Sequence, residues 1–227
     1  MAKNPSLPTI GIIAKESQIR RYVEEVENRG ALSRLIQPRT GLPSYHSEDP
    51  IDGLIFADKL LYSKLPNLEK SKSAWTNLQF LQNFLHRRIP ILAIGEGMHA
   101  LHNVFQHLPT EGPPEETPSL LQIPRCDPNT QIFISPGSKL AAIIGCGGFF
   151  KVDILNCPKF PMQTINRRFM VNAYSLQRNW IEGIEGTQHP WAIGINWLPW
   201  PTDKSSRAFI ALFSSLIHCS ANTPTSI

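Results

Sequence analysis

Residues 91–101 read ILAIGEGMHAL, and this stretch decides the fold class of the chain. Its first four residues are apolar and predict a buried strand, while Met98 and Leu101 recur at helical spacing and predict a helix. The Gly-Glu-Gly segment between them predicts a sharp turn from strand to helix. This is the layout of a nucleophile elbow, which presents a reactive side chain at the end of a strand. Here that position is Gly95, which has no side chain.

Length and composition favour a single folded domain. The 227 residues are 41% apolar and 18% charged, enough to bury a full core, so we predict one α/β domain over residues 1–227 with a polar tail from about Ser220. The formal net charge is +4. The paired arginines at 20–21, 87–88 and 167–168 are scattered, so we interpret them as solvated surface charge and predict no nucleic-acid partner.

Targeting signals and cysteines bear on the compartment. The N-terminus lacks the apolar stretch of a signal peptide, and the longest apolar run, around Leu140 to Phe150, is about half of the ~20 residues that a membrane span needs. We therefore expect a cytoplasmic protein with no membrane association. The cysteines show neither metal-ligand nor redox spacing, and we interpret them as reduced structural thiols. They are Cys126, Cys146, Cys157 and Cys219.

Outward from the elbow, strands alternate with helices in the first half of the chain. The predicted strands are Thr9–Ala14, Ala31–Gln37, Ile51–Phe56 and Ile91–Ile94. Ser17 is predicted to cap the first helix, which ends at Gly30, and a second helix from Trp75 to Leu85 stops before Pro90. The alternation predicts a parallel sheet with helices on both faces, in which ligands bind beyond the carboxyl ends of the strands. Gly95 lies at such an end.

The second half is predicted to be richer in β structure, after an exposed loop from Pro109 to Pro128. The predicted strands are Gln131–Ser135, Phe149–Ile154, Met170–Ser175, Trp180–Glu185 and Trp191–Trp197. A closing helix is predicted to bury Phe209, Leu212, Phe213 and Leu216.

Several strings resemble the class I glutamine amidotransferase-like superfamily, most closely its γ-glutamyl-γ-aminobutyrate hydrolase branch. They are PTIGII, YVEEVENRGA, IDGLIF, IPILAIGEGMHAL, SPGSKLAAIIG and HPWAIGINWLPW, which together reach over nearly the whole chain. The resemblance implies a flavodoxin-like three-layer α/β sandwich with a mostly parallel central sheet and an additional small β-rich region. It also implies that SPGSKLAAIIG forms a pair of strands.

The resemblance implies that the catalytic residues are replaced. In that family a Cys on the elbow attacks an amide carbonyl, activated by a His that a Glu orients. A helix N-terminus at the elbow lowers the thiol pKa, and backbone N–H groups bind the oxyanion. Carried over by position, the Cys falls on Gly95, the His on Leu198 and the Glu on Trp200. None of these side chains performs that chemistry.

The positions around the implied site also depart from the family pattern. Ala57-Asp58 stand where the family has a glycine pair, and a carboxylate there would repel a developing oxyanion. The family's His-His-Gln segment corresponds to residues 166–168. If a pocket for a ligand or partner persists there, the predicted residues are Asp58, Gly95, Glu96, Asn166, Arg167, Arg168, Leu198 and Trp200.

Two catalytic alternatives stay open at this point. Cys146 lies among glycines, but the resemblance places it in an outer β-hairpin away from the elbow, so we favour a structural role. Asp58, Glu96 and His99 offer oxygen and nitrogen ligands for a metal-dependent activity. We favour instead that His99 and His102 are surface or half-buried histidines of an amphipathic helix, and we predict no metal and no cofactor.

Tryptophans surround the end of the last strand. Trp191 and Trp197 match core positions of the family, whereas Trp200 replaces the Glu and makes the site apolar together with Leu198. We favour filling of the pocket over an apolar ligand or a protein anchored on an exposed Trp. We therefore predict a non-catalytic family member that binds an unidentified protein partner or small ligand, and a homo-oligomer is compatible with the sequence. The alternative is an amide or γ-glutamyl hydrolase or amidotransferase with an unidentified nucleophile.

Overall fold

The computed structural model describes residues 7–36, 50–57, 81–106, 130–155, 160–161, 168–177, 179–200 and 207–222. Several predicted features lie outside these residues. They are most of the helix from Trp75, the loop from Pro109 to Pro128, the pocket residues Asp58, Asn166 and Arg167, and the thiols Cys126 and Cys157.

Strands and helices alternate along the described chain. The strands are β1 (Thr9–Ala14), β2 (Leu32–Leu35), β3 (Gly53–Ala57), β4 (Ile91–Ile94), β5 (Thr130–Ile134), β6 (Gly148–Val152), β7 (Phe160–Pro161), β8 (Phe169–Ser175), β9 (Trp180–Gly186) and β10 (Ala192–Ile195). The helices are α1 (Glu16–Glu27), α2 (helical at residues 81–86), α3 (Glu96–Gln106), α4 (Lys139–Ile144) and α5 (Ala211–Asn222), with a 3-10 turn (Arg207–Ile210) before α5.

All ten strands form one mixed sheet in the order β2-β1-β3-β4-β10-β9-β8-β5-β6, with β7 paired to β9. The five neighbouring strands β2, β1, β3, β4 and β10 are parallel to one another. Ile91 to Ile94 of β4 pair in register with Ala192 to Ile195 of β10. The remaining neighbours in this order, β10 with β9, β9 with β8, β8 with β5 and β5 with β6, are antiparallel. The predicted fold class is confirmed, and the predicted β-rich region continues the central sheet.

Helices cover both faces of the parallel part of the sheet. Successive residues of a strand point to opposite faces, so all residues of such a strand are buried and apolar. In β4, Leu92 packs in the core that contains the apolar side of α1 and α5. Ala93 packs in the opposite core, against α2 and α3. The result is a three-layer sandwich. Within the described residues, none of the helices is long and apolar enough to cross a membrane.

Three local predictions are wrong. The string SPGSKLAAIIG does not form a strand pair, since Ser138 accepts a hydrogen bond from the Ala141 N–H and begins helix α4. The N-cap of α1 is Lys15, which makes no side-chain capping bond, rather than Ser17. His102 is not on the surface, because its side chain is only 1% exposed and its ring lies 6.1 Å from that of Phe169.

Candidate functional site

Gly95 forms the predicted elbow at the carboxyl end of β4. Its N–H donates to the Ile195 carbonyl of β10 at 2.8 Å, and its own carbonyl accepts from the Met98 N–H at 3.0 Å, so the chain passes directly from strand to helix. Its φ is +59°, a left-handed conformation that glycine adopts at little cost. The backbone therefore retains the strained turn of a nucleophile elbow, while the residue on it carries no reactive atom.

Gly97 allows the elbow to pack closely against the neighbouring strand. A Cβ at this position would collide with the backbone carbonyl of Phe56 in β3. Only glycine therefore fits at position 97, the second residue of α3. Gly194 in β10 serves the same packing, since a Cβ there would lie 2.6 Å from Cγ of Met98.

Leu155 occupies the space into which a residue-95 side chain would project. A Cβ built on Gly95 would lie 2.9 Å from Leu155 Cδ1, which is closer than carbon atoms approach without displacement. The Leu155 N–H donates to the Asn196 carbonyl at 2.9 Å, and Ile154 forms a β-bridge with Trp197. These contacts hold the segment across the end of β10, so Leu155 packs over the elbow.

The other two positions implied for the catalytic triad are also packed. Leu198 is partly buried against the core that contains α1 and α5. Trp200 is 5% exposed, and its ring meets that of Tyr22 edge-on with centroids 5.0 Å apart. The Arg21 guanidinium lies 4.7 Å from the centre of the Trp200 ring. Burial raises the pKa of Tyr22.

The remaining pocket predictions are only partly within the described residues. Ala57 ends β3 and is buried, Glu96 begins α3 with intermediate exposure, and His99 is buried one turn later. Among the described residues, no group of three His, Cys, Asp or Glu side chains is placed to hold a metal ion. Asp58 lies outside them, so the metal alternative that includes it stays a prediction.

Cys146 lies far from the elbow. It is exposed and falls in the turn between α4 and β6, at the outer edge of the sheet. Five strand steps separate β6 from β4, which corresponds to roughly 24 Å at the spacing of paired strands. Its thiol therefore does not replace the missing elbow side chain.

Two buried carboxylates on β9 were not singled out by the sequence. Glu182 is 2% exposed and accepts a hydrogen bond of 2.6 Å from the Asn196 side chain. Glu185 is 3% exposed and accepts from the N–H groups of Lys139 and Leu140, at 3.0 and 3.3 Å. Glu185 thereby satisfies the N-terminus of α4. Glu182 and Glu185 are three residues apart and point to opposite faces of a strand, so the string WIEGIEG has no alternating pattern from which their burial could be predicted.

A cavity of about 190 Å³ lies at the opposite end of β4, and Arg168 is the one described residue of the predicted pocket among those that line it. Arg88 precedes β4 and His189 precedes β10, whose first residues pair with those of β4. The cavity is therefore separated from Gly95 by the length of β4, roughly 13 Å. The structure does not bring Arg168 together with Gly95, Leu198 or Trp200 in this cavity.

Comparison with known proteins identifies the family. The Peptidase C26 family matches residues 9–199, which includes the elbow and the segment that ends β10. The chain belongs to the peptidase C26 family. This family assignment and the fold together place the chain in the class I glutamine amidotransferase-like superfamily. Among curated proteins, no sequence matches the chain.

Solved structures share the fold of this peptidase C26 protein at low sequence identity. A putative GMP synthase protein from Thermoplasma acidophilum has a TM-score of 0.66 at 14% identity, with 95% of each chain covered. The glutaminase domain of Trypanosoma brucei CTPS with bound acivicin has 0.65 at 11%, with 96% of each covered. A glutamine amidotransferase from Thermotoga maritima has 0.56 at 13%, covering 85% of this chain and 76% of that one.

Proposed function

We propose that this peptidase C26 protein has lost amide hydrolysis at the elbow and acts as a binding or regulatory module. One observation carries the proposal: position 95 has no side chain, and Leu155 fills the space where one would lie. Covalent catalysis at an elbow needs a sulfur or oxygen nucleophile there. The backbone conformation of the turn persists without it.

The replaced partner positions support the same conclusion. Leu198 has no proton acceptor, and Trp200 has no carboxylate to orient one. In a triad hydrolase, loss of the nucleophile or the base alone lowers kcat by roughly 10⁶, so no activity of the γ-glutamyl hydrolase type is expected. The structural neighbours named for glutamine chemistry share the fold with this chain. Their substrates are used here only as assay substrates.

The proposal is tested by assaying the purified full chain with glutamine and with γ-glutamyl-γ-aminobutyrate. We expect no product above a buffer blank. Turnover that persists through stringent purification contradicts the proposal. A Cys146→Ser variant then identifies the source, since loss of that turnover would assign it to a relocated thiol nucleophile.

A second test asks what is needed to rebuild the site. Gly95→Cys alone should remain inactive, because it supplies neither a base nor a carboxylate and its Cβ meets Leu155. We expect a rescue to need Leu155→Ala, Leu198→His and Trp200→Glu in addition, with glycines at positions 57 and 58 to free the oxyanion site. Appreciable turnover by the single variant would mean that a base and an oxyanion site already exist.

The binding role is tested by isolating the protein from native cells. We expect a protein partner or a small ligand to accompany it, and size-exclusion chromatography with light scattering reports whether it forms a homo-oligomer. Cytoplasmic location is part of the proposal, and cell fractionation checks it. A native monomer recovered with no bound molecule and no partner would contradict the binding role.

A further inference from the structure

The cavity at the amino end of β4 is built from segments that are distant in sequence. Arg88 follows α2, Arg168 precedes β8, and the turn at residues 186–189 joins β9 to β10. The side chains of His86 and His189 add two imidazoles to the two guanidinium groups. No Asp or Glu is present among the described residues that line it. The polar lining that the described residues provide is thus basic or neutral.

The cavity has a polar mouth and a partly apolar floor. Arg88, His86 and Gln188 are exposed, whereas Leu85 and Val104 are buried. The volume of about 190 Å³ suits a small molecule. Guanidinium groups bind carboxylates and phosphates through paired N–H donors, and the apolar floor matches a short carbon skeleton.

The wall formed by residues 186–189 is fixed by hydrogen bonds. The Arg168 carbonyl accepts from both the N–H and the hydroxyl of Thr187, each at 2.9 Å. The Lys139 ammonium donates to the carbonyls of Gly186 and His189, at 2.9 and 3.0 Å. The wall is therefore held in place without a ligand, which lowers the ordering cost of binding.

His189 presents a buried donor at this wall. Its Nδ1 accepts a hydrogen bond of 3.2 Å from the Trp191 N–H, so the neutral ring carries its proton on Nε2. The side chain is 7% exposed, and Nε2 has no hydrogen-bond partner among the described residues. Burial, Arg88 and Lys139 lower the pKa of His189 to about 4, which shows that the surroundings disfavour a further positive charge.

Arg88 occupies a backbone position where glycine is usual. Its φ is +57°, its N–H donates to the Leu85 carbonyl at 3.0 Å, and the Ile89 N–H donates to the Phe84 carbonyl at 3.1 Å. This pair of bonds is the Schellman end of a helix, with Arg88 at the left-handed position that glycine favours. An arginine is retained there at a conformational cost, which points to a use for its side chain.

We propose that this cavity binds a small organic anion, a carboxylate or a phosphate ester, between Arg88 and Arg168. The site lies at the other end of β4 from Gly95, so the inference is independent of the proposed loss of catalysis. Gln82 and Gln188, which also line the cavity, provide amide groups for the remainder of the ligand.

The test is isothermal titration calorimetry of the full chain with inorganic phosphate and with succinate at constant ionic strength. We expect saturable binding of at least one probe, and the preferred probe distinguishes phosphate from carboxylate recognition. Arg88→Gly should weaken binding at least tenfold. Because glycine suits this backbone position, the variant should keep or raise the thermal midpoint, by about 2–4 °C.

Arg20→Gln is the matched control, since it removes one positive charge from an exposed surface pair with Glu24. It should leave the affinity unchanged within twofold. Absence of binding by both probes overturns the proposal. So does unchanged binding by Arg88→Gly, or an equal loss in Arg20→Gln, which would reduce the effect to net charge.

Discussion

The two ends of β4 differ in what occupies the space beyond them. At the carboxyl end, Leu155 lies over Gly95. At the amino end, a cavity of about 190 Å³ opens between two arginines. Ligands of α/β sheets are generally bound at the carboxyl ends of the strands. The comparison shows that two ends of one strand in the same fold can differ in packing and charge, and function depends on such sites rather than on the fold.

The largest expected effect tests how tightly the carboxyl end is packed. Gly97→Ala places a Cβ against the Phe56 backbone carbonyl, which cannot rotate away, so we expect the free energy of unfolding to fall by about 4 kcal/mol or more. Gly137→Ala is the control, since φ there is +82° and an added Cβ would meet no atom of another described residue within 4 Å. The Gly137→Ala variant should lower the free energy of unfolding by about 1 kcal/mol. Urea denaturation of both variants decides the matter, and equal losses would refute close packing at the elbow.

The next effect concerns pH at the amino end. The pKa of His189 is lowered to about 4 from an ordinary 6.5, so the unfolded chain takes up a proton that the folded chain does not bind until lower pH. Stability should be complete above about pH 6.5 and fall by about 3 kcal/mol as the pH drops toward 4.

His189→Asn is the reference for this pH effect, because its amide oxygen can still accept from the Trp191 N–H and does not titrate. The difference in unfolding free energy between the two proteins, measured by urea denaturation in a zwitterionic buffer, should change over this window. A constant difference would show that the pKa of His189 is not lowered.

A double-mutant cycle sharpens the account of the filled elbow. Gly95→Cys should destabilise the protein by about 2 kcal/mol, because a side chain disfavours the left-handed φ of +59° and its Cβ also displaces Leu155. Gly30→Cys isolates the cost of a left-handed backbone, since φ is +75° there and an added Cβ would meet no atom of another described residue within 4 Å. When Leu155→Ala is also present, Gly95→Cys should lower the free energy of unfolding by no more than Gly30→Cys does. A coupling free energy near zero between positions 95 and 155 would mean that Leu155 does not occupy this space.

The smallest effect is a gain of stability at the amino end. Arg88→Gly should raise the free energy of unfolding by about 0.5–1 kcal/mol, because it relieves a left-handed conformation that arginine disfavours. Arg87→Gly, at the preceding residue, should not stabilise. Thermal and urea denaturation give the sign, and a destabilised Arg88→Gly would indicate that the arginine side chain supports the fold.

The sequence predicted the frame of the molecule well because that frame rests on local apolar patterns. The bounds of β1 and β4 are as predicted, and Gly95 lies at the end of a strand as expected. Helix α4 replaces the strand pair that the resemblance implies, because Ser138 caps a local helical turn. Its six residues are too few for apolar periodicity to indicate a helix.

The sites were harder to predict because they depend on contacts between distant segments. The pairs at 87–88 and 167–168 were interpreted as scattered surface charge, yet the fold brings Arg88 and Arg168 to the same cavity. The sequence does not indicate that Leu155 packs over Gly95, since this contact depends on the β-bridge between Ile154 and Trp197. Periodicity reports burial along one element, and it does not report which elements meet.

Leu155 also couples position 95 to a segment that is distant in sequence. A side chain introduced at position 95 meets Leu155 Cδ1, so the substitution displaces Leu155 before it can confer any reactivity. A smaller residue at position 155 would remove this contact, and by itself that change opens a void. Placing a reactive side chain on the elbow therefore involves at least two positions, and each of the two changes made alone lowers stability.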